Sequence, residues 1–186
     1  MIKATKLSFK NKIIPKRIEQ QVQMALSHFP DLETTPISFI IKKNTGSSFM
    51  KAQPLISSLF KNKRSYRILI NEKLGIKNKE IAIEHLPNDV LIGWIGHELG
   101  HILDYETRNG LELIWFGIKY IFWQPFTKQA ERVADYYALN HQMKRYILAT
   151  KNYILDDANF SEKYRAKIRK IYVSPEEILN FIEKQS

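Results

Sequence analysis

Residues 89–107 read DVLIGWIGHELGHILDYET, and the fold assignment turns on how this run is wound. At about 100° per residue, Leu91, Ile95, Leu99 and Ile102 gather on one side and His97, His101 and Asp104 on the other. That is the pattern of a helix with one apolar, buried face and one face presenting imidazoles. Pro87 precedes it, and Asn88 or Asp89 can cap its start. Gly93, Gly96 and Gly100 lie beside the histidine face. Inside a helix each costs about 1 kcal/mol relative to alanine, so close approach of another strand or helix is expected to offset them.

Downstream of this helix the pattern stays helical. Residues 111–124 form an aromatic-rich helix, 126–142 another, and 143–151 and 161–172 two more. Ser174-Pro175-Glu176-Glu177 reads as a capping box opening a last helix, with the serine as cap and Glu177 three residues on. Upstream, 15–28 has helical apolar spacing behind Pro15. Ile37–Ile41 and Tyr66–Ile70 are β-rich runs bounded by turn signals, while 47–60 reads either way. The expected fold class is α+β: a small N-terminal sheet packed on the helix of residues 89–107, followed by a mainly helical C-terminal half. One domain over 1–186 is the simplest division, with helix plus sheet in 1–87, the histidine helix and its neighbours in 88–142, and further helices in 143–186.

Composition narrows the function. The chain has 186 residues, 44% of them hydrophobic, enough for a real core. It has no cysteine, which excludes a disulfide framework, thiolate metal ligands and cysteine nucleophiles. The lysine-rich N-terminus is not followed by a long apolar segment, and no window is long and apolar enough for a membrane span, so a cytoplasmic protein that is not transmembrane is expected. The 29 Lys plus Arg against 19 Asp plus Glu give a net charge of +10, but they are dispersed and read first as a solvated surface. Nucleic acid is an admissible partner on charge alone, though no reading motif points to it.

The chemistry is concentrated in His97-Glu98-Leu99-Gly100-His101, which matches H-E-x-x-H. Imidazoles four residues apart on a helix can point at one Zn²⁺, one ion per chain. The intervening Glu98 is then turned to stand beside the metal, where it can accept a proton from water. A catalytic zinc wants a third protein ligand. The best acidic candidate is Glu131, in Ala130-Glu131-Arg132-Val133-Ala134-Asp135, with His141 and Asp104 next in line. Ala134 and Ala138 would let that helix come close. Tyr136, Tyr137 and His141 are candidates to stabilise an oxyanion, although packing is the commoner role of such residues on helices.

H-E-x-x-H followed by Glu131-Arg132-Val133-Ala134-Asp135 resembles the gluzincin metallopeptidases, in particular small soluble relatives of the HtpX and CAAX-prenyl-protease group. The resemblance spans roughly residues 89–140. It implies a zincin-like fold, an endopeptidase acting on a peptide or protein substrate, His97, His101 and Glu131 as zinc ligands, Glu98 as general base, and Asp135 hydrogen-bonded to a ligand histidine. The membrane-embedded members carry long spanning helices that this chain lacks, so their substrates are not implied. A substrate strand could add to a sheet edge, supplied by Tyr66–Ile70 or by the segment near 49–56. The C-terminal helices could cover the cleft. The alternative is a catalytically silent or latent basic protein acting with nucleic acid or a protein partner. The helix of residues 111–124 is apolar almost all round; its first reading is a buried core helix, its second a wall of the cleft, its third a membrane-surface or self-association contact.

Overall fold

A computed structural model describes residues 9–46, 48–76, 79–156, 160 and 162–183. The fold is α+β, a small N-terminal sheet followed by a mostly helical C-terminal half. Strand β1 (Lys12–Ile13) leads through a 3-10 turn into helix α1 (Glu19–Ser27). Strands β2 (Ile37–Lys42), β3 (Met50–Pro54) and β4 (Tyr66–Asn71) follow, then a hairpin of β5 (Lys73–Ile76) and β6 (Lys79–Ala82). The remaining helices are α2 (Asn88–Glu106), α3 (Gly110–Phe122), α4 (Gln124–Asn140), α5 (Lys144–Asp156), α6 (Glu162–Ile171) and α7 (Pro175–Glu183).

The sheet runs β1-β2-β4-β3. β2 and β4 are parallel, in register from Ile37 opposite Tyr66, and isoleucines recur in both, which suits strands covered by packing. Phe39, Ile68 and Ile70 are buried in the core. β3 pairs antiparallel with β4 and forms the edge. Tyr66–Ile70, one of the two segments offered as an edge, is therefore an interior strand, and the undecided segment supplies the edge instead. The hairpin β5–β6 was not expected from its sequence.

The register of β3 decides which backbone groups are free. Asn71 N donates to Phe49 O at 2.8 Å and Leu55 N to Ser65 O at 2.8 Å, so residues 49 and 55 turn toward the partner strand. With a period of two, Met50, Ala52 and Pro54 turn their carbonyls away from it, and Met50 and Ala52 also their N–H groups.

Helix α2 is the hub, in contact with α1, α4, α5 and β3. Val90 through Tyr105 are all buried. The apolar face is buried as expected, and the face that presents the imidazoles is covered as well. Neither Asn88 nor Asp89 caps this helix; Pro87 stands at the cap position without a side-chain bond, while Asn88 accepts from Gln21 and Asp89 pairs with Arg145. The glycines do what their cost required. A Cβ at Gly93 would strike Thr150 Oγ1 and the Tyr146 carbonyl of α5, and a Cβ at Gly100 would strike the Ala134 carbonyl of α4. Two helices therefore lie against α2 with backbone or short side chains in contact. At α7 the capping box is present: Ser174 N donates to Glu177 at 2.9 Å and Glu177 N to Ser174 Oγ at 3.2 Å.

Candidate metal centre

The contact of Gly100 with Ala134 explains how α4 brings a carboxylate to the histidines. Glu131 sits three residues before Ala134 and Asp135 directly after it, so both flank the crossing point. His97 and His101 stack one above the other on α2, their rings 4.8 Å apart and nearly perpendicular. Glu131 Oε2 lies 3.0 Å from His97 Nε2, and Glu131 Oε1 3.5 Å from His101 Nε2. One ligand atom from each of the three residues falls within 4.8 Å of the others. All three side chains are buried, at 6%, 4% and 3% exposure for His97, His101 and Glu131.

This group could hold a metal ion. Two imidazole nitrogens and one carboxylate oxygen are a donor set that suits a borderline divalent ion. Its second contacts fit the same purpose. His97 Nδ1 lies 2.8 Å from Asp135 Oδ1, which fixes the ring so that Nε2 faces Glu131. Asp135 also accepts from Lys151 Nζ at 2.8 Å and from Val173 N at 3.2 Å. Among the described residues His101 Nδ1 is buried with no hydrogen-bond partner, and its Nε2 is the ring nitrogen that faces Glu131.

The electrostatics are those of carboxylates and imidazoles crowded out of water. Burial works against the Glu131 carboxylate, yet His101 and His97 outweigh it and hold its pKa well below the ordinary carboxylate range. Burial likewise opposes charge on His97, but Asp135 and Glu131 raise its pKa above the ordinary imidazole value. Glu98 differs: burial raises its pKa, and the two imidazoles and the hydrogen bond from Ala52 only partly oppose this. Its Oε2 accepts from Ala52 N at 2.5 Å, so the free edge of β3 faces the carboxylate.

A cleft of about 560 Å³ opens over Glu98, His101 and Glu131. β3 forms one wall from Met50 to Pro54, and α3 the other through Leu113, Phe116, Gly117, Tyr120 and Ile121. The first reading of α3 as a buried core helix is therefore corrected. Only Leu113 and Phe116 of that helix are fully buried, and the second reading, a wall of the cleft, describes its inner face. A smaller void of about 40 Å³ lies behind His97, near Lys151 and Tyr172.

Several sequence candidates stand elsewhere. His141 ends α4, with Nε2 3.0 Å from Asp31 and its ring stacked on Phe29 at 4.7 Å. Tyr137 packs against the core, and Tyr136 is engaged by Arg132. None of the three lines the cleft. Asp104 is clasped by Arg108 at 2.7 Å and is not one of the three clustered groups.

Sequence reasoning missed four contributors. Tyr120 Oη donates a short hydrogen bond to Glu131 Oε1. Tyr172 lines the cleft with its ring 5.4 Å from that of His97. Lys151 and the Ala52 N–H complete the set. The aromatic character of 111–124 marked Tyr120 as packed; nothing local distinguishes Lys151 or Ala52 from their neighbours.

Set against known proteins, the chain matches no family model, no curated protein and no solved structure.

Proposed function

We propose that the protein is a zinc-dependent endopeptidase of the gluzincin type, with His97, His101 and Glu131 holding the ion and Glu98 as general base. The observation that carries the reading is the convergence of those three ligand atoms within 4.8 Å beside a buried glutamate. When bound, zinc supplies a Lewis acid toward a carbonyl oxygen and lowers the pKa of a water molecule toward about 7. Glu98 takes the proton from the attacking water and passes it to the departing amine. Burial, which raises its pKa, brings it toward the range where one group can do both. Asp135 keeps the His97 ring oriented. The outward N–H and carbonyl of Met50 and the outward carbonyl of Pro54 offer an extended peptide main-chain partners across the cleft from α3. Tyr120, on the cleft wall with its hydroxyl reaching Glu131 Oε1, is the donor we assign to a developing oxyanion.

The test is cleavage of casein by the zinc-loaded protein, compared with Glu98→Gln. Loss of a factor of about 10² or more with zinc content unchanged is expected, given what a positioned general base contributes. Equal cleavage by both proteins disposes of the base.

A latent form of the same enzyme has one observation in its favour: Tyr172, just beyond α6, stands in the cleft beside His97. Tyr172→Ala then raises the cleavage rate of the full chain; a lower rate argues against latency.

A further inference from the structure

Helix α3 carries two apolar stripes. Leu113 and Phe116 face the interior, with Tyr120 beside them over the cleft. On the opposite side, Leu111, Ile114, Trp115, Ile118, Ile121 and Phe122 fall within about 120° of helical arc. All six are open to solvent, Trp115 at 61% and Phe122 at 82% exposure. The patch continues past the start of the helix: a Cβ at Gly110 would lie 2.8 Å from the ring of Phe60, itself 71% exposed. At the cleft mouth it continues through Ile56, which is 84% exposed and lines the cleft together with Ile121. A surface of this kind marks an interaction site.

Its charge says with what. Residues 55–71 contain Lys61, Lys63, Arg64 and Arg67 and no acidic residue. Arg64 and Arg108 are paired with Glu106 and Asp104, and residues 107–130 add Lys119 and Lys128 against a single acid, Glu112. That acid is occupied in the capping box with Asn109. Lys61, Lys63, Lys119 and Lys128 are exposed. A two-fold dimer through this patch would set basic residues against the same basic residues on a chain of net charge +10. Ile and Leu, which dominate the stripe alongside the rings, do not stack on bases as nucleic-acid platforms do. An apolar stripe containing Trp and Phe with lysines around it fits an anionic lipid surface.

We propose that α3 and the adjoining loop at residues 56–63 form a peripheral docking surface for anionic bilayers. The helix has 13 residues, about 20 Å at about 1.5 Å per residue, well short of the roughly 30 Å hydrocarbon layer. It therefore lies in the interface with its outer stripe among the headgroups and upper acyl chains. Its inner face remains the wall of the cleft, which brings the cleft mouth to the membrane surface. The proposal concerns binding alone and stands whether or not the metal centre is an enzyme.

The experiment is co-sedimentation of the full chain with vesicles of phosphatidylcholine and of equal parts phosphatidylcholine and phosphatidylglycerol. Binding to the second and not the first is expected, weakening as salt rises from about 0.1 M to about 0.5 M. Trp115 and Trp123 face water while Trp94 is 8% exposed, so the emission should shift to shorter wavelength on binding. The triple variant Trp115→Ser, Ile118→Ser, Phe122→Ser should bind at least about tenfold more weakly, with unchanged circular dichroism because all three side chains are exposed. Two results overturn the proposal: no binding to the anionic vesicles, in which case a lipid-free dimer or a complex with a single-stranded oligonucleotide that the triple variant abolishes identifies the other occupant, or undiminished vesicle binding by the triple variant.

Discussion

Asp135 answers to two side chains at once, His97 and Lys151, besides accepting from the Val173 N–H. One oxygen orients His97, and the pair of oxygens holds the ammonium of Lys151, itself buried, with Tyr172 4.2 Å away on its other side. Replacing Asp135 by Asn keeps the shape but removes the countercharge of both. Metal affinity should fall 10–100-fold, as it does when such supporting partners of ligand histidines are lost. Lys151 is left as a buried unpaired cation, at a cost of about 3–5 kcal/mol. Urea unfolding and a metal titration read the two effects separately. Lys151→Met in the Asp135→Asn background should recover part of the stability, since removing both partners is cheaper than stranding one; no recovery would mean that the pair does not stabilise as described. The residue scale is also where the sequence was least legible. H-E-x-x-H announces His97, Glu98 and His101 because all three lie on one helix. Lys151 and Tyr120 reach the cluster only through the way α5 and α3 pack, and no local spacing encodes that.

At the scale of elements, the crossing of α2 and α4 sets the site. Gly100→Ala drives a methyl into the Ala134 carbonyl and must push α4 outward, carrying Glu131 with it. Gly93→Ala makes the same kind of clash against α5, which carries no metal ligand. Both should lose about 1–3 kcal/mol from overpacking, but Gly100→Ala should weaken metal binding the more, because α4 carries a ligand itself while α5 reaches the site only through Lys151 and Asp135. Equal metal affinity in the two variants contradicts the positioning role of that crossing. The spacing of Leu91, Ile95, Leu99 and Ile102 identified α2 correctly, and Ser174 with Glu177 identified the start of α7. The misreading of α3 has a physical reason: a helix apolar on two sides looks the same in sequence whether both sides are packed or one is open. The edge strand β3 was left undecided because Met-Lys-Ala-Gln-Pro lacks the β-branched residues that mark β2 and β4.

The whole molecule carries a pH signature in its metal-free form. His97 has its pKa raised to about 10 in the fold, from about 6.5 unfolded. Its protonation therefore stabilises the fold fully below about pH 6.5, and that contribution is lost as pH rises through the folded value. Glu98, whose pKa burial raises, acts in the same direction. Glu131 and Asp135, whose pKa values are lowered, contribute above the ordinary carboxylate range and lose their contribution only as pH falls below it. Metal-free protein should thus melt at a lower temperature at pH 9 than at pH 6.5. Metal-loaded protein should show the smaller loss, because the ion takes the place of the proton and its binding tightens as pH rises. Among the described residues no helix is long and apolar enough to cross a membrane.

The central claim is that two imidazoles of α2 and one carboxylate of α4 share one metal ion. Elemental analysis of untagged protein, set beside Glu131→Ala, tests it most directly. About one zinc per chain is expected in the wild type, with a marked reduction in the variant. Undiminished zinc in Glu131→Ala, or no bound metal in a wild type supplied with zinc, contradicts it.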